Sequence, residues 1–144
     1  CATVEPGLCE MLRRFRDAGL SMGVVSNTFV PGAILDSHMQ DHGLLEILPV
    51  RVYSCDVGFR KPNPKIFNIA LERCNLQPGQ TLFVGDSPKA DIGGANRMGM
   101  VSILKDPANR HATSRFKPAH RIRSIMELPA IVEKLNGQTT RNDS

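Results

Sequence analysis

Short apolar runs alternate with amphipathic helical patterns along nearly the whole of this 144-residue chain. Met22-Gly23-Val24-Val25 runs into the polar pair Ser26-Asn27, and Val50, Val52 and Tyr53 mark a second run. Thr81-Leu82-Phe83-Val84 leads into Gly85-Asp86-Ser87-Pro88, and Val101-Ser102-Ile103-Leu104 is the fourth. Runs this short between turn residues read as buried parallel strands, and a polar C-terminal end reads as a strand opening onto a site. Between them the apolar spacing is helical. A helix is expected over 6–18, with Pro6 in its first turn, Leu8, Met11, Leu12 and Phe15 as its stripe, and Gly19 ending it. A second is expected over 31–42, from Pro31 to Gly43. A third follows the Pro62-Asn63-Pro64 turn and carries Ile66, Phe67, Ile69, Ala70, Leu71 and Cys74. A fourth carries Ile92, Ala95 and Met98 and closes at Gly99. A short edge strand over 119–125 and a closing helix over 128–136 complete the series.

This order predicts an α/β fold, a parallel sheet with helices on both faces, in one domain over 1–136 with a polar, frayed tail over 137–144. Hydrophobic residues make up 41% of the chain, enough for a real core at this length. No apolar run approaches the roughly 20 residues that span a bilayer, so no membrane partner is expected. Cys1, Cys9, Cys55 and Cys74 show neither CxxC spacing nor a Cys/His cluster. They read as reduced thiols, and with no signal-peptide pattern at the opening they point to the cytoplasm. The chain opens on Cys1 and its first methionine is Met11, which reads as a processed start or a piece of a longer protein. The net charge of +4 suits a small anionic substrate. Residues 105–123 are the most basic stretch, but only Phe116 interrupts the charges, so a solvated loop is expected rather than a specific nucleic-acid surface.

In such a sheet functional groups gather at the carboxyl ends of the strands. Ser26 and Asn27 stand at one end, Lys61 lies in Gly58-Phe59-Arg60-Lys61-Pro62, Asp86 follows the third strand, and Asp91 lies five residues later. Singly, these read as a turn, an exposed loop and helix caps. Together they suit phosphoryl transfer, which needs hydroxyl and N–H donors, a compact cation, and a carboxylate-held Mg²⁺. Ser26 and Asn27 are the candidate phosphate ligands with Lys61. Asp86 and Asp91 are the candidate metal residues, Asp86 as the ligand and Asp91 reaching the metal's waters or orienting Lys61.

These residues resemble the haloacid dehalogenase superfamily over nearly all of 5–136. Val24-Val25-Ser26-Asn27 is similar to its second motif, Lys61 before Pro62 to its third, and the segment from Gly85 through Asp86, Ser87 and Asp91 to Met100 to its fourth. The Gly-Asp-Ser form with a second Asp resembles the phosphoglycolate-phosphatase-like branch. The resemblance implies a Rossmann-like core, a Mg²⁺-dependent phosphatase acting on a small phosphorylated substrate through an aspartyl-phosphate, and catalytic roles for Ser26, Lys61, Asp86 and Asp91. True dehalogenases need no metal and generally lack this acidic pair. One departure stands out: the family's first motif is an Asp-x-Asp on the central strand, carrying the nucleophile and the general acid/base. The aspartates here are Asp17, Asp36, Asp41, Asp56, Asp86, Asp91, Asp106 and Asp143, and no two have that spacing.

The helical cap that usually follows that motif is not seen either. The chain by itself is therefore expected to be nearly inert. The strands at 22–26 and 81–85 would flank the absent strand, so they must pair directly or leave an edge-like gap. A strand-donating partner or a homo-oligomer is the expected way to fill such a gap. The leading reading is the C-terminal core of a phosphatase. The alternatives are a non-catalytic domain binding a phosphorylated ligand or a protein, and a different doubly wound module such as a flavodoxin-like domain.

Overall fold

The four apolar runs and the short edge segment are all strands, and all their pairings are parallel, but they form two sheets rather than one. The computed structural model describes residues 5–29 and 32–142; Cys1 and Pro31 lie outside them. β1 (Gly23–Ser26) pairs with β2 (Val50–Tyr53), Gly23 opposite Val50 and Ser26 opposite Tyr53. β3 (Leu82–Gly85), β4 (Val101–Lys105) and β5 (His120–Ile122) form the second sheet in that order, Leu82 opposite Val101 and Ile103 opposite His120. β1 and β3 are not paired with each other. Of the two outcomes expected for these strands, the structure has the gap.

The helices are α1 (Leu8–Asp17), α2 (Gly32–Asp41), α3 (Ser54–Val57), α4 (Pro64–Cys74), α5 (Gly94–Met98) and α6 (Leu128–Asn142). β3 shows how the core is divided. Phe83 packs toward one cluster, with Val25, Val52, Ile66, Phe67, Leu71 and Ala95. Leu82 and Val84 point to the other, with Met11, Ile103, Ile122 and Leu128. That alternation is the period-2 rule of a strand with both faces covered, α4 and α5 on one side and α1 and α6 on the other. Burial runs against the usual order, however. Val52, Tyr53, Ser102, Ile103 and Leu104 on β2 and β4 are buried, whereas Val24, Val25 and all of β3 are only half-buried. Strands in the middle of a parallel sheet should be its driest part. Here they are the edges of an opening.

α4 begins as its sequence directs: Pro64 takes the first helical position, and the Asn63 side chain accepts from the Lys65 N–H at 2.9 Å. α1 starts two residues later than expected, because Gly7 at φ 83° is left-handed and cannot belong to the helix. The helix expected around Ile92 is two segments. Pro88–Gly93 is a π-helical turn, in which the Ile92 N–H reaches the Ser87 carbonyl, and it continues into α5. α6 runs to Asn142, so the tail expected from 137 is helical over most of its length. Gly137 lowers helix propensity by about 1 kcal/mol, and no proline follows to stop it. The basic stretch is partly ordered by Asp106, whose carboxylate accepts from the Arg110 and His111 N–H groups and lies 3.4 Å from Arg121. Burial pushes the Asp106 carboxyl up, but those two N–H bonds and the charges of His111 and Arg121 prevail and hold it below its ordinary value.

Candidate active site

A chain of hydrogen bonds crosses the carboxyl end of the gap. Asn27, one residue past β1, is joined to the Lys61 main chain in both directions. Its Oδ1 accepts from the Lys61 N–H at 2.7 Å, and its Nδ2 donates to the Lys61 carbonyl at 3.1 Å. An asparagine suits this because its amide carries a donor and an acceptor side by side. The Lys61 Nζ then reaches Asp91 Oδ1 at 2.5 Å. The other oxygen of Asp91 accepts from the N–H groups of Asp86 and Ser87 at 3.1 and 3.0 Å. From β1 to β3 the path is therefore Asn27, Lys61, Asp91, and the backbone just after Gly85.

Each link has a local cause. Ser87 caps the π-helical turn through the Ala90 N–H, which sets Asp91 one turn up and facing back toward the strand end. Gly85 is required there: a Cβ at that position would overlap the Asp91 carboxylate. Lys61 and Asp91 are well covered, their side chains 12% and 4% exposed. A buried carboxylate with one ammonium and two N–H donors is fully satisfied, and so is held in one orientation. The Phe83 ring, 5.7 Å from the Lys61 Nζ, closes the same pocket from the β3 side.

The structure brings Asn27, Lys61, Asp86 and Asp91 together, with Ser26 at the end of β1 beside them. Their states differ. Asp91 is committed on both oxygens. Asp86 is exposed, and among the described residues its carboxylate has no hydrogen-bond partner; neither has the Ser26 hydroxyl. Mg²⁺ takes one or two carboxylates and fills its octahedron with waters and phosphate oxygens. Asp86 fits as one such ligand. Among the described residues no three His, Cys, Asp or Glu gather as a metal-holding group, and Asp91, the other metal candidate, has both oxygens engaged by Lys61 and by the Asp86 and Ser87 N–H groups.

Two parts of the site were not foreseen. Ser54, in the short α3, fixes the loop after β1. Its Oγ accepts from the Thr28 N–H at 2.8 Å and donates to the Thr28 carbonyl at 3.0 Å. No pattern separates Ser54 from an ordinary turn serine. Behind β2, Arg51 and Tyr53 both meet Asp36 of α2, at 2.7 and 2.9 Å. The Arg51 hydrogen bond holds the Asp36 carboxyl below its usual value. Burial, then the Asp36 contact, pushes Tyr53 up to about 12.

The family model described as haloacid dehalogenase-like hydrolase matches residues 2–99. Pyrimidine 5'-nucleotidase YjjG of Escherichia coli (strain K12) is 29% identical over 133 residues, 92% of this chain and 58% of its own length. Glyceraldehyde 3-phosphate phosphatase of Methanopyrus kandleri is 33% identical over 98 residues, 68% of this chain and 41% of its own. Proteins named as haloacid dehalogenases are among the similar ones too. The crystal structure of a HAD phosphatase from Thermococcus onnurineus superposes with a TM-score of 0.79 at 31% identity, over 90% of this chain and 58% of that one. The chain thus spans about half the length of the curated relatives it matches. No helix among the described residues is long and apolar enough to cross a membrane.

Proposed function

The chain belongs to the haloacid dehalogenase-like hydrolase family, and from that membership we propose that it carries the phosphate-holding half of a Mg²⁺-dependent phosphomonoester hydrolase. The observation that carries this reading is the bridge from Asn27 through Lys61 and Asp91 to the backbone of Asp86 and Ser87. Among the described residues it leaves the Ser26 hydroxyl and the Asp86 carboxylate without hydrogen-bond partners beside a fixed ammonium, the set a phosphoryl group needs.

In this reading Ser26 donates to a phosphoryl oxygen and Lys61 offsets its charge. Asp91 acts on Lys61 rather than on the substrate: it holds the ammonium in place and anchors the turn that presents Asp86. Asp86 would hold Mg²⁺, which when bound neutralises charge developing on the phosphoryl oxygens. In this reading the nucleophile would be a carboxylate from a segment outside this sequence. It would attack phosphorus as the ester P–O bond breaks, and the leaving oxygen would take its proton from the second, acid carboxyl of the same segment. Water then hydrolyses the aspartyl-phosphate to free phosphate. The same segment would supply the strand between β1 and β3, with a second chain as the alternative donor. The chain by itself would turn over several orders of magnitude more slowly than the completed enzyme.

The test is phosphate release from small phosphomonoesters by this chain and by the protein extended in frame upstream of Cys1. Mg²⁺-dependent release by the extended protein alone is the expected result. Halide release from 2-haloacids, without phosphatase activity, would overturn the reaction. Tight phosphate binding with no turnover of either kind would make it a non-catalytic binding domain.

A further inference from the structure

An aromatic ring stands open to solvent on the loop that leaves this site. Phe29 lies two residues past Asn27 and is 86% exposed, the most exposed large apolar side chain among the described residues. A lone exposed apolar residue is ordinary on a protein surface. Here, however, its loop is pinned on both sides. Asn27 is joined to the Lys61 backbone, Thr28 to Ser54, and the Gly32 N–H donates to Asp56 Oδ1 at 3.3 Å. The ring also carries a partner from the other side of the site: the Arg60 guanidinium stacks over it, Cζ 4.6 Å from the ring centroid. Arg60 immediately precedes the lysine of the bridge. The staple that sets Lys61 therefore also sets Phe29 against Arg60, the one two residues past Asn27 and the other next to Lys61.

We propose that Phe29 and Arg60 form the leaving-group subsite, a stacking surface for phosphate esters whose alcohol is a planar aromatic group, such as an aryl or nucleoside phosphate. One ring face is covered by the guanidinium and the rest is bare, so a second planar group can lie against it while Arg60 faces the substituents of that group. The inference rests on the phosphate-ester reading above and deepens it.

The test compares kcat/KM for p-nitrophenyl phosphate with that for acetyl phosphate, which has no ring, in the upstream-extended protein. Phe29→Ala should lower the aryl-to-acetyl ratio by about tenfold or more, and Phe29→Tyr should restore it. An unchanged ratio overturns the subsite, as does a Phe29→Ala protein that loses thermal stability and both activities alike, which would mean the ring is covered by other parts of the protein. If neither compound is hydrolysed, the reaction proposed above fails, and calorimetric binding then judges the subsite by itself. Tighter binding of a nucleoside monophosphate than of inorganic phosphate, lost in Phe29→Ala, supports it. Equal affinities overturn it.

Discussion

Removing the Lys61 ammonium should destabilise the fold as well as weaken phosphate binding. Asp91 is 4% exposed and holds three donors: Lys61 Nζ at 2.5 Å and the N–H groups of Asp86 and Ser87. In Lys61→Met the carboxylate keeps the two N–H bonds but loses its counter-charge inside the protein. Breaking a buried pair from one side costs about 3–5 kcal/mol. The two remaining donors and the partial exposure of Lys61 place this case at the lower end, about 3 kcal/mol, a large share of a typical domain's 5–15. Asp91→Asn should cost a similar amount, since one of its amide hydrogens must face either the ammonium or a backbone N–H. The double variant removes both charges and should cost less than the sum of the singles by about 1–3 kcal/mol. Urea unfolding of the four proteins measures this. Additive single effects, with coupling below about 0.5 kcal/mol, would show that the pair is screened by solvent and that the bridge does not hold the sheets together.

Other consequences are read from single sites. Gly85→Ala should cost about 1–3 kcal/mol in the same unfolding assay, because the new methyl displaces Asp91. Tyr53 is the chain's only tyrosine and there is no tryptophan, so the near-ultraviolet phenolate absorbance reports it alone. Its titration should centre near 12 and move down in Asp36→Asn. The folded value lies above the unfolded one, so the neutral phenol contributes stability that is whole below about pH 10 and is lost as pH rises through its folded value. Asp36, Glu127 and Asp106 are all held below their usual values, by Arg51, by the Ser124 and Arg123 N–H groups, and, against burial, by the His111 and Arg110 N–H groups. Their contribution is present above the ordinary carboxylate range and fades as pH falls beneath about 4, so the urea midpoint should drop on that side.

The strand ends were legible because each signal was local. An apolar run meets a polar residue, or a Gly-Asp-Ser-Pro turn follows a strand, and the sheet rule puts such ends on one edge. The way they are joined was not legible. That Asn27 binds the backbone 34 positions away depends on how two loops meet, and nothing in either loop states it. The position of Asp91 in the first turn after β3 makes orienting Lys61 a reasonable role. That both its oxygens are occupied, leaving Asp86 as the open carboxylate, is visible only in three dimensions. The π-helical turn escaped because six residues cannot separate its period from that of an α-helix. Arg51, Asp36 and Tyr53 escaped because a charged residue in a short strand reads as solvent-facing until its partner helix is in place.

Ser26, Lys61 and Asp86 are proposed above as a phosphate and Mg²⁺ half-site. Phosphorus NMR of inorganic phosphate, titrated with this chain in the presence and absence of Mg²⁺, tests it most directly. The expected result is a Mg²⁺-dependent change in the phosphate signal that Asp86→Asn abolishes while leaving the urea midpoint in place, since that carboxylate is exposed and has no hydrogen-bond partner among the described residues. An identical response from the native chain and Asp86→Asn, or binding indifferent to Mg²⁺, would contradict it.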